Sequence, residues 1–456
     1  MSDIEPVLND EFSSVRKRCL YGIFISGFGS AMAGIAVFFT VYQQSKSLSQ
    51  VALLSIFYCV PCLALAGAAT HLVSRFKPYK IYISSRLTLT IVAFIPGILY
   101  FTGGLNVSEI LIWYLIQGIV LGLATPTWSM IVSAMTPTEK LTEFNGQIAQ
   151  ASAYSALAGI LFGGIFFGLI GPGWVYILNA ISYLAVQIAL RPVRKIDMSV
   201  KKKTRLSEWT QIKKQLPGLR AIIGYSAACF LFGSFTVVLP AVAALYGGNA
   251  LLLSCLDIAA IIGGIIITWA IRNIIPRIKK IVVQRLCFAT VGVGLILLAL
   301  EIRMRGHSGI SYLLVVLTLI PIGFALAVQG AVLSGITFVE TPMELQTVVF
   351  TVKSLVPLIF VTLGDFLIGL LSDIFSVGWV LFVVGASTLV FIFFARLSNV
   401  KKDFENLNSE ARVEPHAQLL QYSSFPYRHM GETRSSTSSG RLDVSVKDEN
   451  GESTSS

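Results

Sequence analysis

The sequence predicts an all-α polytopic membrane protein with twelve transmembrane helices in two six-helix pseudo-repeats. Two observations carry this fold class: the composition, and a basic segment with long apolar runs on both sides of it. Hydrophobic residues make up 54% of the 456 residues and charged residues 13%, and the mean hydropathy is +0.74. Soluble domains carry about 25% charged residues. The composition therefore excludes a large soluble core.

The apolar runs have the length of membrane-spanning helices. A span needs about 20 mostly apolar residues. We expect six helices before the basic segment 191–220 and six after it. They are predicted near residues 20–42, 51–70, 81–101, 109–134, 145–170, 173–190, 221–245, 250–271, 281–301, 311–338, 346–371 and 377–395.

The lysine and arginine pattern predicts the topology. Basic residues cluster before the first helix, after the second, eighth and twelfth, and in the segment 191–220, whereas Arg303 and Arg305 break the pattern. Because short basic loops stay in the cytoplasm during insertion, both termini are predicted to be cytoplasmic.

The protein is then expected in the plasma membrane, which is the inner membrane of a Gram-negative cell. The predicted domains are a cytoplasmic N-terminus (1–19), a six-helix bundle (20–190), a basic cytoplasmic linker (191–220), a second six-helix bundle (221–396) and a disordered cytoplasmic tail (397–456).

Several classes of function are excluded or unsupported. The net charge of +11 does not indicate nucleic-acid binding, because the basic residues lie between apolar runs. The six cysteines lie in or beside those runs and form no metal-binding or disulfide pattern. No Gly-x-x-x-x-Gly-Lys-Ser/Thr loop occurs, so an ATP-driven pump is unsupported. We expect no enzyme activity, no cofactor and no metal site.

The two halves of the chain contain a short repeated sequence pattern. Gly118 leads to Thr-Pro-Thr-Glu at 136–139, and Gly323 leads to Thr-Pro-Met-Glu at 341–344, so both pairs are 205 positions apart. Parallel repeats that enclose a site near the bilayer midplane are a transporter plan.

The fourth to sixth predicted helices carry a pattern of small and polar residues that resembles a known family. The pattern comprises Gly118, Gly122, Pro126, Trp128, Thr136, Pro137, Glu139, Leu141, Asn145, 159–164 and 179–183. It resembles the major facilitator superfamily, and within it the branch of the bacterial enterobactin exporter and macrolide-efflux proteins. The resemblance implies the major facilitator fold over residues 16–396, and it implies secondary transport.

Two motifs of that family depart from their usual form. In the loop after the second helix, Arg75 and the following basic residues match the family, but Ser74 replaces an aspartate that helps to latch the two halves. In the fourth helix, Tyr114 stands where exporters often have an arginine linked to proton transfer, while Gln117 is kept. Proton coupling by either family route is therefore not expected.

The fifth helix resembles the family's antiporter motif without its proline. The matching positions are Ser155, Gly159, Gly163 and Gly164. Small residues at four-residue spacing let two helix backbones approach closely and slide. A gating role and ordinary helix packing are the two interpretations.

Charged residues inside predicted spans are candidates for ion coupling, because a charge at mid-membrane costs about 2.5–3.5 kcal/mol. Asp257 is the main candidate for proton coupling, followed by Asp365, and Lys353 is a candidate for binding an anionic group. Hydration of Asp365 near the surface and snorkelling of Lys353 toward headgroups are the alternatives. Arg86 and Arg285 are interpreted as positive-inside anchors.

The resemblance also implies that the fourth and tenth helices line a central cavity. The cavity candidates are Tyr114, Gln117, Trp128 and Gln329. Such a lining suits an amphipathic or aromatic molecule, while hydrogen bonding between helices is the alternative for each glutamine.

Together these features predict a proton- or ion-coupled exporter of a small amphipathic solute, either a siderophore or a drug-like compound. The expected partners are this solute, the coupling ion and membrane lipid, and the protein is expected to be a monomer. The alternatives are import of a nutrient or iron-siderophore complex, or a membrane scaffold or sensor that transports nothing.

Overall fold

The computed structural model describes residues 5–73, 76–137, 140–192, 234–273, 280–304, 309–340 and 346–395. In these ranges the regular structure consists of twelve α-helices and one 3-10 helix, Ser234–Val238. The α-helices are α1 (Glu5–Ser45), α2 (Leu48–Val73), α3 (Pro78–Phe101), α4 (Val107–Ala134), α5 (Leu141–Ile170), α6 (Pro172–Ala189), α7 (Leu239–Leu245), α8 (Ala250–Asn273), α9 (Lys280–Met304), α10 (Gly309–Glu340), α11 (Gln346–Ile374) and α12 (Val377–Ala395). The predicted linker, except Arg191 and Pro192, and the predicted tail 397–456 lie outside the described residues.

These helices make the chain a multi-pass membrane protein. By length and composition, eight of the described helices are able to cross a bilayer: α1 to α6, α9 and α10. Shorter apolar helical stretches are Phe235–Leu245, Ala250–Ile266 in α8 and Val377–Ile392 in α12.

The first helix begins earlier than the sequence predicts. It starts at Glu5, within the segment expected to be a separate N-terminus. Pro6 occupies the first turn, where a missing backbone N–H costs nothing, and no further proline or glycine follows before Gly22. Arg16 Nη1 donates to the Met135 carbonyl oxygen at 3.2 Å, where a cation is favoured by the C-terminal end of α4. Part of the predicted N-terminus thus packs as helix.

The seventh predicted helix, 221–245, is described only from residue 234. This part is a 3-10 helix followed by the short α7. Pro240 lies in the first turn of α7, where it is tolerated because that N–H has no helical partner.

The same helix pairs recur in the two halves. In the first half (α1–α6), α2 packs on α4, and α3 packs on α4 and α6. In the second half (residues 234–395), α8 packs on α10, and α9 packs on α10 and α12. Contacts between the halves are made mainly by α2 with α11 and by α5 with α8. The molecule is therefore built from two six-helix pseudo-repeats.

The glycines at the 205-residue offset occupy equivalent places in this repeat. Gly118 of α4 lies against the backbone carbonyl of Tyr58 in α2, and Gly323 of α10 lies against that of Ala260 in α8. A Cβ at either glycine would collide with the carbonyl oxygen. Both positions are glycine because α2 packs closely on α4 in the first half and α8 packs closely on α10 in the second.

Candidate functional site

A cavity of about 340 Å³ lies inside the first half, between α1, α2, α3, α4 and α6. We call it the N-half cavity. Among the described residues, its lining combines aromatic rings, two amides, hydroxyls and one cation: Phe38, Tyr58, Trp113, Tyr114, Tyr183, Gln117, Asn179, Ser30, Ser55 and Arg86. Two of the predicted cavity residues, Tyr114 and Gln117, are in this lining. Such a mixture binds molecules that are both apolar and polar.

Three rings of α2 and α4 form the aromatic wall. The rings of Tyr58 and Tyr114 have their centroids 6.2 Å apart at an interplanar angle of 55°. Trp113 meets the Tyr114 ring edge-on at 5.4 Å. The close approach of α4 to α2 at Gly118 brings the two tyrosines together, and rings at such distances attract each other.

The cation of the lining is Arg86 on α3. Its Nε donates to the Tyr82 hydroxyl at 3.0 Å, and its Cζ lies 5.2 Å from the Tyr82 ring centroid. Arg86 follows Pro78 by eight residues, about 12 Å along a helix axis. The structure places Arg86 in the cavity wall, and its interpretation as a positive-inside anchor stays a prediction.

Trp128, predicted to line a central cavity, is not among the described lining residues of the N-half cavity and packs on Tyr82. Its ring stacks on that of Tyr82, with centroids 5.3 Å apart and an interplanar angle of 30°. Tyr82 is 1% exposed, so the stack is fixed in the core between α3 and α4. Trp128 thus supports Arg86 through Tyr82 and does not belong to the described lining.

Two polar atoms of the lining residues are buried without a hydrogen-bond partner in the described part of the chain. They are Asn179 Oδ1 and Trp113 Nε1. Gln329 of α10 is 1% exposed and has both amide atoms unpartnered there, but it is not among the N-half cavity residues. A buried polar group without a partner costs about 1–3 kcal/mol.

The halves are held together where α1 ends and α2 begins, which we call the α1–α2 end. Asp373, in the last turn of α11, accepts hydrogen bonds from the Ser47 hydroxyl at 2.6 Å, the Leu48 N–H at 2.7 Å and the Ser49 N–H at 3.0 Å. A carboxylate of the second half thus caps the N-terminus of a helix of the first, which favours negative charge. We call this arrangement the Asp373 cap.

Asp373 lies beyond the predicted span 346–371, at the surface. Burial raises the pKa of its carboxyl, but the hydrogen bonds from Ser47, Ser49 and Leu48 outweigh burial and hold the pKa below its ordinary value. The carboxyl is therefore ionised at neutral pH, as the cap requires.

Asp365, a predicted coupling residue, lies further along the same interface. It is 6% exposed, and its Oδ2 accepts a hydrogen bond from Ser55 Oγ at 3.0 Å. Because Ser55 also lines the N-half cavity, this bond links the cavity wall to the second half. Gly369 continues the contact, since a Cβ there would lie 2.6 Å from the Leu48 carbonyl oxygen.

The small residues of α5 face two different helices. Ser155, Gly159 and Gly163 contact α1, and a Cβ at Gly163 would lie 3.0 Å from Met32 Cα. Gly164 instead contacts α8 of the second half, where a Cβ would lie 2.8 Å from the Ala250 carbonyl oxygen. The small residues of α5 therefore contact both a helix of the first half and a helix of the second half.

The two predicted carboxylates that the structure describes, Asp257 and Asp365, are not brought together. Asp257 of α8 is half-buried, and no hydrogen bond or ion pair joins it to another described residue, Asp365 included. Arg75 and the side chain of Lys353 lie outside the part of the chain that the structure describes. Sequence reasoning missed Arg86 as a cavity residue, although its depth of two helical turns was a readable signal, and it missed Asp373.

Two six-helix repeats that cross the membrane around interior cavities define a membrane transporter. Residues 19–356 match the Major Facilitator Superfamily, and the chain belongs to this superfamily. No curated protein sequence matches the chain significantly.

Solved transporter structures share the fold. A bacterial homologue of the iron transporter ferroportin in an inward-facing state has a TM-score of 0.63 at 16% identity, covering 83% of this chain and 98% of that one. A POT family transporter in complex with a thioalcohol-conjugated peptide has a TM-score of 0.67 at 12% identity, covering 85% and 96%. The nucleoside transporter NupG has a TM-score of 0.64 at 11% identity, covering 83% and 97%. At these identities the likeness concerns the fold.

Proposed function

We propose that the protein exports a small amphipathic solute, a siderophore or drug-like compound, by proton-coupled alternating access. It would do so in the plasma membrane with both termini in the cytoplasm, as the charge pattern predicts. The observation that carries this proposal is the N-half cavity, whose aromatic walls and scattered polar groups suit such a solute. Within the superfamily, the resemblance of α4 to α6 favours the enterobactin-exporter and macrolide-efflux branch.

Alternating access requires that the contacts between halves break and re-form. The Asp373 cap consists of three hydrogen bonds near the surface, and Gly164 and Gly369 meet their partners through backbone and small groups. When the two halves separate at the Asp373 cap, Gly164 and Gly369, these contacts expose polar and backbone groups and no large side chain. They support a molecule that opens at the α1–α2 end.

Gene deletion followed by mass spectrometry of medium and cell extract tests this function. We expect the deletion strain to lose a compound from the medium and retain it inside, and the wild-type gene to restore secretion. Tyr114→Ala should fail to restore it, because it removes part of the cavity wall. Tyr154→Ala is the matched control, since Tyr154 lies on α5 and is 63% exposed.

Other outcomes contradict the proposal. A compound that accumulates in the medium of the deletion strain would indicate import of a nutrient or iron complex. No change in either fraction would indicate a scaffold or sensor. Equal restoration by Tyr114→Ala and Tyr154→Ala would separate the transport route from the N-half cavity.

A further inference from the structure

We propose that the N-half cavity selects an aromatic monocarboxylate, holding its acidic group at Arg86 and its ring against Tyr58 and Tyr114. This substrate class rests on the transport function proposed above and makes it more specific. It assigns to Arg86 the role of a binding residue.

Among the described residues, no hydrogen bond occupies the carboxylate-binding edge of Arg86. A guanidinium has five N–H donors, one on Nε and four on the terminal nitrogens. The Tyr82 hydroxyl takes the Nε donor, and no acidic side chain in the described part of the chain forms an ion pair with Arg86. The two terminal nitrogens form a planar fork that matches the two oxygens of a carboxylate.

The position of Arg86 is held by packing. The Tyr82 ring lies beneath the guanidinium, and the Trp128 ring stacks on the Tyr82 ring. Because these rings are fixed in the core, little side-chain entropy is lost when a ligand binds. A preorganised fork of this kind distinguishes a binding arginine from one that snorkels toward headgroups.

The charge of the cavity indicates a single negative charge on the ligand. Arg86 is the one charged side chain among the described lining residues. A charge inside a span costs about 2.5–3.5 kcal/mol, and a monoanion would neutralise it, whereas a phosphate dianion would leave one charge uncompensated.

The rest of the lining accounts for an aromatic body. Tyr58 and Tyr114 present two rings whose centroids are 6.2 Å apart, and aromatic groups pack on such rings with an edge-to-face preference. Gln117, Ser30 and Ser55 add polar groups to the same lining, which suit a hydroxyl or amide substituent on the ring.

Calorimetric titration of the purified full chain in detergent tests the assignment. The probes are naphthoate and its uncharged isostere naphthamide, and the variants are Arg86→Gln and Arg86→Lys. Arg303→Gln is the matched control, because Arg303 lies over the Trp379 ring, 5.5 Å from its centroid, in a separate cavity between the second half and Tyr42 of α1.

We expect the wild type and Arg303→Gln to bind naphthoate at least about tenfold more tightly than naphthamide, since hydrogen bonds between charged groups contribute that much or more. Arg86→Gln should abolish this preference while naphthamide binding stays unchanged. Arg86→Lys should restore part of it, because an ammonium keeps the charge but lacks the fork.

Two results would overturn the proposal. One is equal affinity of the wild type for both probes, and the other is an Arg86→Gln variant that keeps the preference for naphthoate. Either would leave the deletion experiment unaffected, because secretion is read from the cell's own compounds. Conversely, if the deletion strain showed no change in the compounds of its medium or cell extract, export would be contradicted. The measured affinities for naphthoate and naphthamide would still stand.

Discussion

At the scale of single residues, Ser55 connects the N-half cavity to the second half. Its hydroxyl lines the cavity and donates to Asp365 of α11 at 3.0 Å. A ligand that lies beside Ser55 therefore touches the same side chain that the second half holds. Because a hydrogen bond contributes about 0.5–1.5 kcal/mol, a ligand that changes this bond in one conformation shifts the balance between two conformations.

Asp257 remains our candidate for the coupling carboxylate. It lies on α8, half-buried and without a hydrogen bond or ion pair to another described residue, so its proton is not tied to a structural partner. We expect Asp257→Asn to abolish efflux driven by a pH gradient while downhill exchange of substrate continues. The measurement is transport into proteoliposomes with and without a gradient.

Unchanged gradient-driven efflux by Asp257→Asn, at equal protein content, would exclude this role. Asp365 would then be the next carboxylate to test. Its bond to Ser55 already places it beside the cavity wall.

At the scale of elements, the small residues of α5 set how closely this helix packs on α1. A leucine at Gly159 or Gly163 would enter α1, where Phe28, Ala31 and Met32 leave no space. We expect both variants to reach the membrane and to lose transport, because the helices no longer approach closely.

Gly168→Leu is the control on the same helix, since nothing lies within 4 Å of a Cβ at Gly168. It should transport normally. Uptake or efflux assays at matched membrane abundance check all three variants. Normal transport by Gly159→Leu and Gly163→Leu would show that these contacts do not limit the cycle.

The Asp373 cap makes a prediction for the α1–α2 end. Asp373→Asn keeps the shape but removes the charge that favours the N-terminus of α2, an effect of about 0.3–1 kcal/mol. It also replaces one acceptor oxygen by an NH2 group, which cannot accept, so at least one of the three hydrogen bonds of the cap is lost. We expect this end to open more often, and a cysteine placed at Ser55 to react several-fold faster with an impermeant thiol reagent from that side.

Glu109→Gln is the matched control for the cap. Glu109 accepts a hydrogen bond from the Asn106 N–H at 3.0 Å and caps α4 within the first half, so its loss should not open the interface. Because the capped carboxyl has a lowered pKa, the cap is favoured above the ordinary Asp pKa of about 3.9 and weakens as pH falls below it. Equal labelling rates in both variants would contradict the cap's role.

At the scale of the whole molecule, the fold was readable from the sequence because length and hydropathy decide where helices cross a bilayer. The described helices lie within a few residues of the predicted spans from α2 to α6 and from α8 to α12. The start of α1 was missed, since Glu5 to Arg18 is polar and helical at once. Hydropathy reports burial in lipid and not helix propensity.

The site was less readable, because a cavity is made by residues far apart in sequence. Tyr114 and Gln117 were found from a motif, but Arg86 joins them only through the packing of α3 on α4. Trp128 lies on the same helix in a neighbouring pattern, and it packs on Tyr82. Which face of a helix meets the cavity depends on its rotation, and a helix that is apolar on all sides does not show this in its sequence.

The orientation of the whole molecule is the last prediction. The basic segment 191–220, most of which lies outside the described residues, should be cytoplasmic with the tail, and the α3–α4 loop should face outward. In a cysteine-free variant, we expect Thr102→Cys, which is exposed in that loop, to react with an impermeant thiol reagent on intact cells. Ser199→Cys and Ser438→Cys should react only after the membrane is permeabilised. Labelling of either serine site on intact cells, or protection of Thr102→Cys, would invert the topology and place the Asp373 cap on the cytoplasmic side.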